Sequence, residues 1–333
     1  MAKKKKTGKD AKPELAIGGQ AVIEGVLMRT NEKYAIAVRQ PNGRIIVKKE
    51  KYVSRTKKNK FLGLPLIRGV IMLWETLTLG YKALTFSANQ SLADDSQDKK
   101  QEKKTASAKL ADSENSCFLK TKDKAKGKDK KQELGTPELV ITLIISILFA
   151  LALFKFLPLL IATFFKNKVG GSNLLFNIID GAAKFTILIL YLAAISMMKD
   201  VKRLFQYHGA EHKSVHCYEE NKKLTVENVK KDSKAHARCG TTFMLVVLFL
   251  SIIFYLFIPF NTNFWLKLLI RILFLPIIAG ISYEWIKFSG KHTDNFFAKI
   301  LIGPGLLVQN LTTREPDDKQ IEVAIKALKA VVD

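Results

Sequence analysis

Four long segments of the chain carry almost no charge, and they constrain the fold more than any other feature. They cover residues 138–165, 174–198, 241–260 and 265–286. A helix of about 20 apolar residues spans a bilayer and satisfies its own backbone hydrogen bonds there. The sequence therefore predicts a mainly α, polytopic membrane protein with about four transmembrane helices, which excludes a single soluble globular domain.

The charged residues lie outside these segments and predict the orientation. The chain has 54 Lys and Arg against 30 Asp and Glu, a formal net charge of +24. Residues 199–240, between the second and third segments, are rich in Lys and Arg, whereas the other two connections are short and nearly neutral. Because cytoplasmic loops carry the excess of Lys and Arg, we predict a multi-pass protein of the cell (inner) membrane with both termini in the cytoplasm.

The N-terminal region predicts a small β element. Two β-prone runs, residues 34–39 and 44–49, flank Gln40-Pro41-Asn42-Gly43. Such a pattern is typical of a hairpin. Residues 18–29 are expected to add another strand.

Residues 64–86 are apolar enough to resemble a further span, but their charges argue against one. Arg68, Glu75 and Lys82 recur at a spacing of seven, which places them on one helical stripe. A crossing here would also move the Lys-rich N-terminus outside. We therefore predict an amphipathic helix that lies in the cytoplasmic interface or packs on the bundle.

The predicted organisation has six parts: residues 1–16 as a basic disordered tail, 17–60 as the small β element with its hairpin, 61–90 as the amphipathic interfacial helix, 91–137 as a Lys-rich disordered linker, 138–290 as the four-helix transmembrane region with its cytoplasmic His-rich loop 199–240, and 291–333 as a cytoplasmic segment with an amphipathic helix. The last helix is expected to dock on the hairpin.

The predicted partner is the lipid bilayer, and the Lys runs suggest a secondary attraction to anionic lipid headgroups. Nucleic acid is not expected, because no aromatic residues interleave the Lys runs.

Histidine and cysteine residues cluster in the predicted cytoplasmic loop. The run from Tyr207 to Cys217 contains H-x-x-E-H, and His208, His212 and His216 fall on one helical stripe. Glu211 is then placed to act as a general base, as in the inverted zincin motif. A second group, His236 and Cys239, lies just before the third span.

These residues make the loop a candidate metal site. Neutral imidazole and thiolate are good Zn²⁺ ligands, so the predicted ligands for Zn²⁺ or another divalent metal are His208, His212, His216, His236 and Cys239. Two alternatives stay open on this pattern. The histidines are structural if they hydrogen-bond one another at the membrane boundary, and a closed set of four ligands would make the metal structural rather than catalytic.

Several phrases of the chain together resemble the YqhQ-like family of bacterial membrane proteins. The phrases, in chain order, are GGQAVIEGVLMR (18–29), PLIRGV (65–70), YHGAEHKSVHCYE (207–219), LTVENV (224–229), RCGTTF (238–243), ISYE (281–284) and QNLTTREP (309–316). The family is built on a domain of unknown function and is sometimes described as predicted metal-dependent enzymes. The resemblance implies a membrane protein with a metal-dependent site and implies no particular reaction.

Two functional hypotheses follow. The first is a metal-dependent hydrolase that acts on a membrane-proximal substrate, with Glu211 as the catalytic base. The alternative is a non-enzymatic membrane scaffold or assembly factor, in which a structural metal fastens the loop to the β element. A transporter is a weaker third option, because the apolar segments carry few charges and no obvious repeat.

Overall fold

The chain is mainly helical and carries one small sheet near its N-terminus. The structure, a computed structural model, describes residues 17–110, 136–170, 172–236, 238–291 and 296–333. The predicted basic tail 1–16 and residues 111–135 of the predicted linker lie outside the described residues.

The sheet is a four-stranded antiparallel meander. Its strands are β1 (Gly18–Val22), β2 (Gly25–Arg29), β3 (Lys33–Arg39) and β4 (Ile45–Lys51), in the order β1-β2-β3-β4. The predicted hairpin is present as β3 and β4, and Gly43 supplies the positive φ of +84° in its turn.

Residues 18–29, expected to form one strand, form two. Ile23 and Glu24 make a two-residue turn between β1 and β2, and Glu24 has a φ of 53°. The carboxylate of Glu24 accepts hydrogen bonds from Arg203 and Tyr207 of the following helical unit. This turn is held by contacts with residues that are distant in the sequence. The local sequence alone therefore does not predict the turn.

One face of the sheet packs against two helices, α6 (Lys199–Glu219) and α12 (Asp318–Val332), with the short α7 (Val226–Lys230) beside them. A capping box formed by Asp317 and Gln320 starts α12. The predicted apolar face of α12 is buried in this core, namely Ile321, Ala324, Ile325, Leu328 and Val331. The C-terminal helix thus docks on the sheet as predicted.

The other face of the sheet packs against α2 (Ile67–Leu110), which follows the short α1 (Arg55–Lys58). Leu79 and Ala83 of α2 contact the core side chains of β1, β2 and β3. The helix continues to Leu110, so residues 91–110 of the predicted linker are helical. The reason lies in their composition, which lacks Gly and Pro and includes many Lys and several Ala residues, both good helix formers.

Two members of the polar stripe of α2 contact the protein, and the third is exposed. Glu75 is buried and accepts hydrogen bonds from Ser54 Oγ (2.8 Å) and the Arg55 amide (2.6 Å). Arg68 forms an ion pair with Glu284, far along the chain, whereas Lys82 is exposed. Trp74 and Leu77 are 63% and 70% exposed. The helix therefore presents apolar side chains both to the sheet and to its outer face.

The apolar helices form a bundle beside this unit. They are α3 (Thr136–Leu151), continued through a π turn (Ala152–Phe156) into α4 (Leu157–Phe164), a 3₁₀ turn (Lys166–Val169), α5 (Asn173–Ser196), α8 (Gly240–Tyr255), α9 (Phe264–Leu273), α10 (Leu275–Lys291) and α11 (Phe296–Thr312). Among the described residues, Ile144–Phe164 and Asn173–Ser196 are long and apolar enough to cross a membrane. The helices α9 and α10, bent by 41°, form a third such segment if they are one span.

A buried ionic network joins α5 to α9 inside the bundle. Asp180 pairs with Lys184 and also with Arg271 Nη1 at 2.6 Å. Asp180 and Lys184 are both buried. Arg271 keeps them inside because it adds a second cation to the same carboxylate.

Candidate metal centre

The helix α6 presents the H-x-x-E-H run at the junction of the sheet and the bundle. His208 and His212 lie one turn apart on it, and their ring centroids are 4.4 Å apart. Cys239 precedes the first turn of α8 and reaches the same point. One ligand atom from each of these three residues lies within 4.8 Å of the other two. The three residues form the primary triad of the site.

Backbone carbonyls hold both imidazoles of the primary triad. His208 Nδ1 lies 2.8 Å from the carbonyl of Thr312, and His212 Nδ1 lies 2.6 Å from that of Lys234. A carbonyl only accepts, so each Nδ1 carries the proton and each Nε2 offers a lone pair. Such contacts orient histidine ligands in metalloproteins. The tautomers of His208 and His212 are therefore the ones that suit a cation.

Burial shifts the pKa of two members of this triad, His212 and Cys239. It holds the pKa of His212 well below the ordinary value, so this imidazole is neutral. It also raises the pKa of the Cys239 thiol. Cys239 Sγ lies 3.2 Å from His208 Nε2, so the thiol proton donates to that nitrogen. A cation would take the place of this proton.

His216 and His236 belong to a second group, with Glu219. His216 Nε2 is 2.7 Å from the Ala235 carbonyl, and His236 Nε2 is 3.4 Å from the Glu219 carboxylate, which also pairs with Arg238. These contacts join the second group in a hydrogen-bonded network, and its three ligand atoms also lie within 4.8 Å of one another.

The five predicted ligands therefore divide into two sets. Eight residues of helix rise by about 12 Å, so His208 and His216 do not converge on one ion. The structure brings together His208, His212 and Cys239. His216 and His236 lie beside them in the second group, and Glu219 joins that group without having been singled out by the sequence.

Glu211 is buried next to the primary triad. Its Oε2 atom has no hydrogen-bond partner among the described residues. Burial raises the pKa of Glu211 to about 8, against the opposing effects of His208 and the Gly19 amide. A buried carboxyl with a free oxygen and a pKa near neutrality suits proton transfer.

A cavity of about 570 Å³ adjoins Glu211 and the triad. Its walls come from β1, α2, α6, α8 and α10, so it lies between the sheet unit and the apolar bundle. Most of the lining is apolar, and Arg29, His208, Glu211, His212 and Tyr283 supply polar groups. The site therefore has room for a substrate beside the ligand atoms.

The donor set fits a divalent cation. Two imidazoles and one thiol converge, and an unpartnered carboxylate oxygen lies in the same cavity. Three N and S ligands with an open position is the pattern of catalytic zinc sites, whereas four closed ligands is that of structural ones. The described residues of the primary triad match the first pattern.

Some of these features had no signal in the sequence. The carbonyl of Thr312 and the strand β1 both contact the H-x-x-E-H run from positions far away in the chain. Only the quoted phrases GGQAVIEGVLMR and QNLTTREP indicated that these distant segments belong together.

Comparisons with known proteins agree with the resemblance seen in the sequence. Residues 64–333 match the family described as "Protein of unknown function (DUF1385)". The chain is 33% identical over 319 residues to a Bacillus subtilis (strain 168) protein named "Uncharacterized protein YqhQ", covering 95% of this chain and 92% of that protein. No solved structure matches the chain. The chain thus belongs to the YqhQ-like family, which carries the DUF1385 domain.

Proposed function

We propose that this chain is a membrane-embedded hydrolase that depends on a divalent cation of the zinc class. His208, His212 and Cys239 hold the cation, and Glu211 is the general base. The convergence of these three ligand atoms within 4.8 Å, beside an unpartnered buried carboxylate, carries the proposal. A cation bound there supplies Lewis-acid activation of a carbonyl group and of water.

Glu211 supplies the proton transfers. Its free Oε2 takes a proton from the attacking water and passes it to the leaving group. The Gly19 amide, on the neighbouring strand, stabilises the charged carboxylate and so fixes its position. The hydrogen-bonded network of His216, Glu219 and His236 supports the loop that holds His212.

The proposed hydrolase crosses the membrane four times, with both termini in the cytoplasm. Besides the two or three candidate spans, α8 is a shorter apolar helix of the same bundle. The start of α8 lies at the site, and the ligands His208 and His212 lie on α6, within the basic loop 199–240, which supports placing the metal centre on that side of the membrane. This side is cytoplasmic by the positive-inside rule.

The lipid bilayer is the proposed partner of α2. Trp74, Leu77 and Tyr81 expose an apolar face, and Phe61, 63% exposed, follows a basic stretch at residues 55–60. Aromatic side chains beside Lys and Arg are typical of a helix in the membrane interface with anionic headgroups. The face and the charges together support an interfacial position of α2.

The test uses zinc-loaded protein in detergent and p-nitrophenyl acetate as a small ester probe. Glu211→Gln should lower the zinc-dependent hydrolysis by about 100-fold or more while zinc content is unchanged. Glu219→Gln is the matched control and should keep most of the activity. If chelation unfolds the protein and Glu211→Gln changes no activity, the site is the structural metal of a scaffold and the hydrolase proposal fails.

A further inference from the structure

The strand β1 lies at the edge of the sheet that faces the cavity. Within the described chain it pairs only with β2. Residues 17–21 all line the cavity, one after another. A strand that presents one face contributes alternate residues, because successive side chains point to opposite faces. The cavity therefore runs along the edge of β1.

The backbone of β1 directs two residues into this cavity. Val22 and Gly25 flank a two-residue turn and form a hydrogen-bonded pair, so Gln20 and Val22 bond to β2 while Gly19 and Ala21 point outward. The Gly19 amide faces the Glu211 carboxyl, which agrees with this register. In the described chain, no hydrogen bond from outside the sheet reaches the amide or carbonyl of Ala21.

The strand β1 itself carries no charge, proline or bulge that would block its edge. Its sequence is GGQAV, and it pairs with β2 residue for residue. Glu211 of α6 lies against Gly19, so the free part of this edge is at Ala21. A strand edge with a free amide and carbonyl is able to add an extended peptide.

We propose that the cavity binds a polypeptide segment in extended form along β1, and that the hydrolase is a peptidase. This inference rests on the proposed function. The added strand would run past Glu211, which faces Gly19. Arg29, opposite Gly18 in the register, has a buried Nη1 without a partner among the described residues, and it would donate to a peptide carbonyl or carboxylate.

The reaction is the addition of water to one amide bond. The water oxygen forms a new bond to the carbonyl carbon, and the C–N bond breaks. Glu211 transfers the proton that it takes from water to the leaving nitrogen, so the products are a carboxylic acid and an amine. No oxidant, reductant or further reactant is required.

The test uses a proteome-derived peptide library and zinc-loaded protein in detergent, with cleavage products identified by mass spectrometry. Ala21→Pro removes the outward amide without removing a bond to β2, and Ala21→Gly is the control that keeps the amide. Cleavage should be absent in Glu211→Gln. It should be slower by about 3- to 10-fold in Ala21→Pro than in Ala21→Gly, as expected for one lost backbone hydrogen bond.

A second measurement uses the unmodified protein, so it tests the inference even if Ala21→Pro fails to fold. The best-cleaved peptide is synthesised with N-methyl groups on alternate residues, in each of the two registers. Strand addition uses the amides of alternate residues only, so one methylated register should lose cleavage by tenfold or more and the other should keep it. Equal loss in both registers would overturn the inference.

Other outcomes separate the inference from the proposed function. If p-nitrophenyl acetate is hydrolysed through Glu211 but the library is not cleaved, the peptidase inference fails and the hydrolase stands. Release of fatty acid from phosphatidylglycerol vesicles, without peptide cleavage, would show that the cavity takes lipid. If zinc and hydrolysis are both absent, anisotropy of fluorescein-labelled casein still tests strand addition, and equal binding by Ala21→Pro and Ala21→Gly overturns it.

Discussion

Replacement of Gly19 by alanine tests whether β1 is pressed against Glu211. A Cβ atom at this position would lie 2.7 Å from both Cδ and Oε1 of Glu211 and 2.8 Å from the carbonyl oxygen of Leu27. Ordinary contacts begin at 3.4 Å, so the strand or the carboxylate must move by about 0.7 Å. The Leu27 oxygen belongs to the backbone of β2, so this movement strains the sheet.

The cost of this overlap is that of overpacking, about 1–3 kcal/mol of unfolding free energy. For a domain of moderate size, this corresponds to a fall of about 2–12 °C in the apparent melting temperature. A shift of the catalytic carboxylate by nearly 1 Å should also lower hydrolysis by roughly tenfold or more. Zinc content should be unchanged, because neither Gly19 nor Glu211 is in the primary triad.

The assay is thermal unfolding in detergent, with zinc content and ester hydrolysis measured on the same samples. Gly240→Ala is the matched control, because a Cβ there meets nothing within 4 Å. In a Glu211→Ala background, Gly19→Ala should lower the unfolding free energy by less than it does in the wild type. The loss that persists in this background is due to the overlap with the Leu27 carbonyl. If Gly19→Ala melts within about 1 °C of Gly240→Ala, β1 does not press on Glu211 and the proposed geometry is wrong.

Three further predictions concern the buried network, the second histidine group and α2. Asp180→Asn leaves the buried Arg271 and Lys184 without a carboxylate, so it should lower the free energy of chemical unfolding by about 3–5 kcal/mol. Adding Arg271→Met should restore part of this loss, and an unchanged free energy in Asp180→Asn would contradict the ionic network. Burial lowers the pKa of His236 to about 4, so the unfolded chain takes up a proton at higher pH than the folded one. The free energy of unfolding of metal-free protein should therefore fall by up to about 3 kcal/mol between about pH 6.5 and pH 4. Melting experiments at each pH should show a smaller fall for His236→Gln. With Trp74 as the sole tryptophan in vesicles, shallow spin-labelled lipids should quench its fluorescence more than deep ones, and the reverse order would contradict an interfacial α2.

Local patterns predicted the elements whose signals are local. The hairpin of β3 and β4 follows from its turn residues, and the face of α12 follows from its 3.6-residue periodicity. The H-x-x-E-H run lies on a helix, as its spacing indicates. These features need only residues a few positions apart.

Features that depend on distant contacts were not predictable in the same way. The turn at Glu24 is held by Arg203, and Glu75 of α2 is buried because Tyr52, Ser54 and the Arg55 amide meet its carboxylate. Trp74 and Leu77 of the same helix are exposed. A periodic pattern alone does not show which side chains lie outside.

The ligand set shows the same limit. Sequence spacing placed His208, His212 and His216 on one stripe, and this is correct for the helix. The spacing does not show which of these histidines converge on the same ion. The loop that carries Lys234 and Ala235 bonds to His212 and His216 and separates them into two groups. Cys239 joins the primary triad because α8 begins next to His208, a packing relation between helices.

The metal content of purified protein tests the central claim most directly. Protein prepared in detergent without chelators should contain about one zinc or similar ion per chain, since the proposal assigns the ion to the primary triad alone. Glu211→Gln and His216→Ala should keep it, whereas His212→Ala should lose it. Protein without metal, or loss of metal in His216→Ala but not in His212→Ala, would contradict the site proposed at His208, His212 and Cys239.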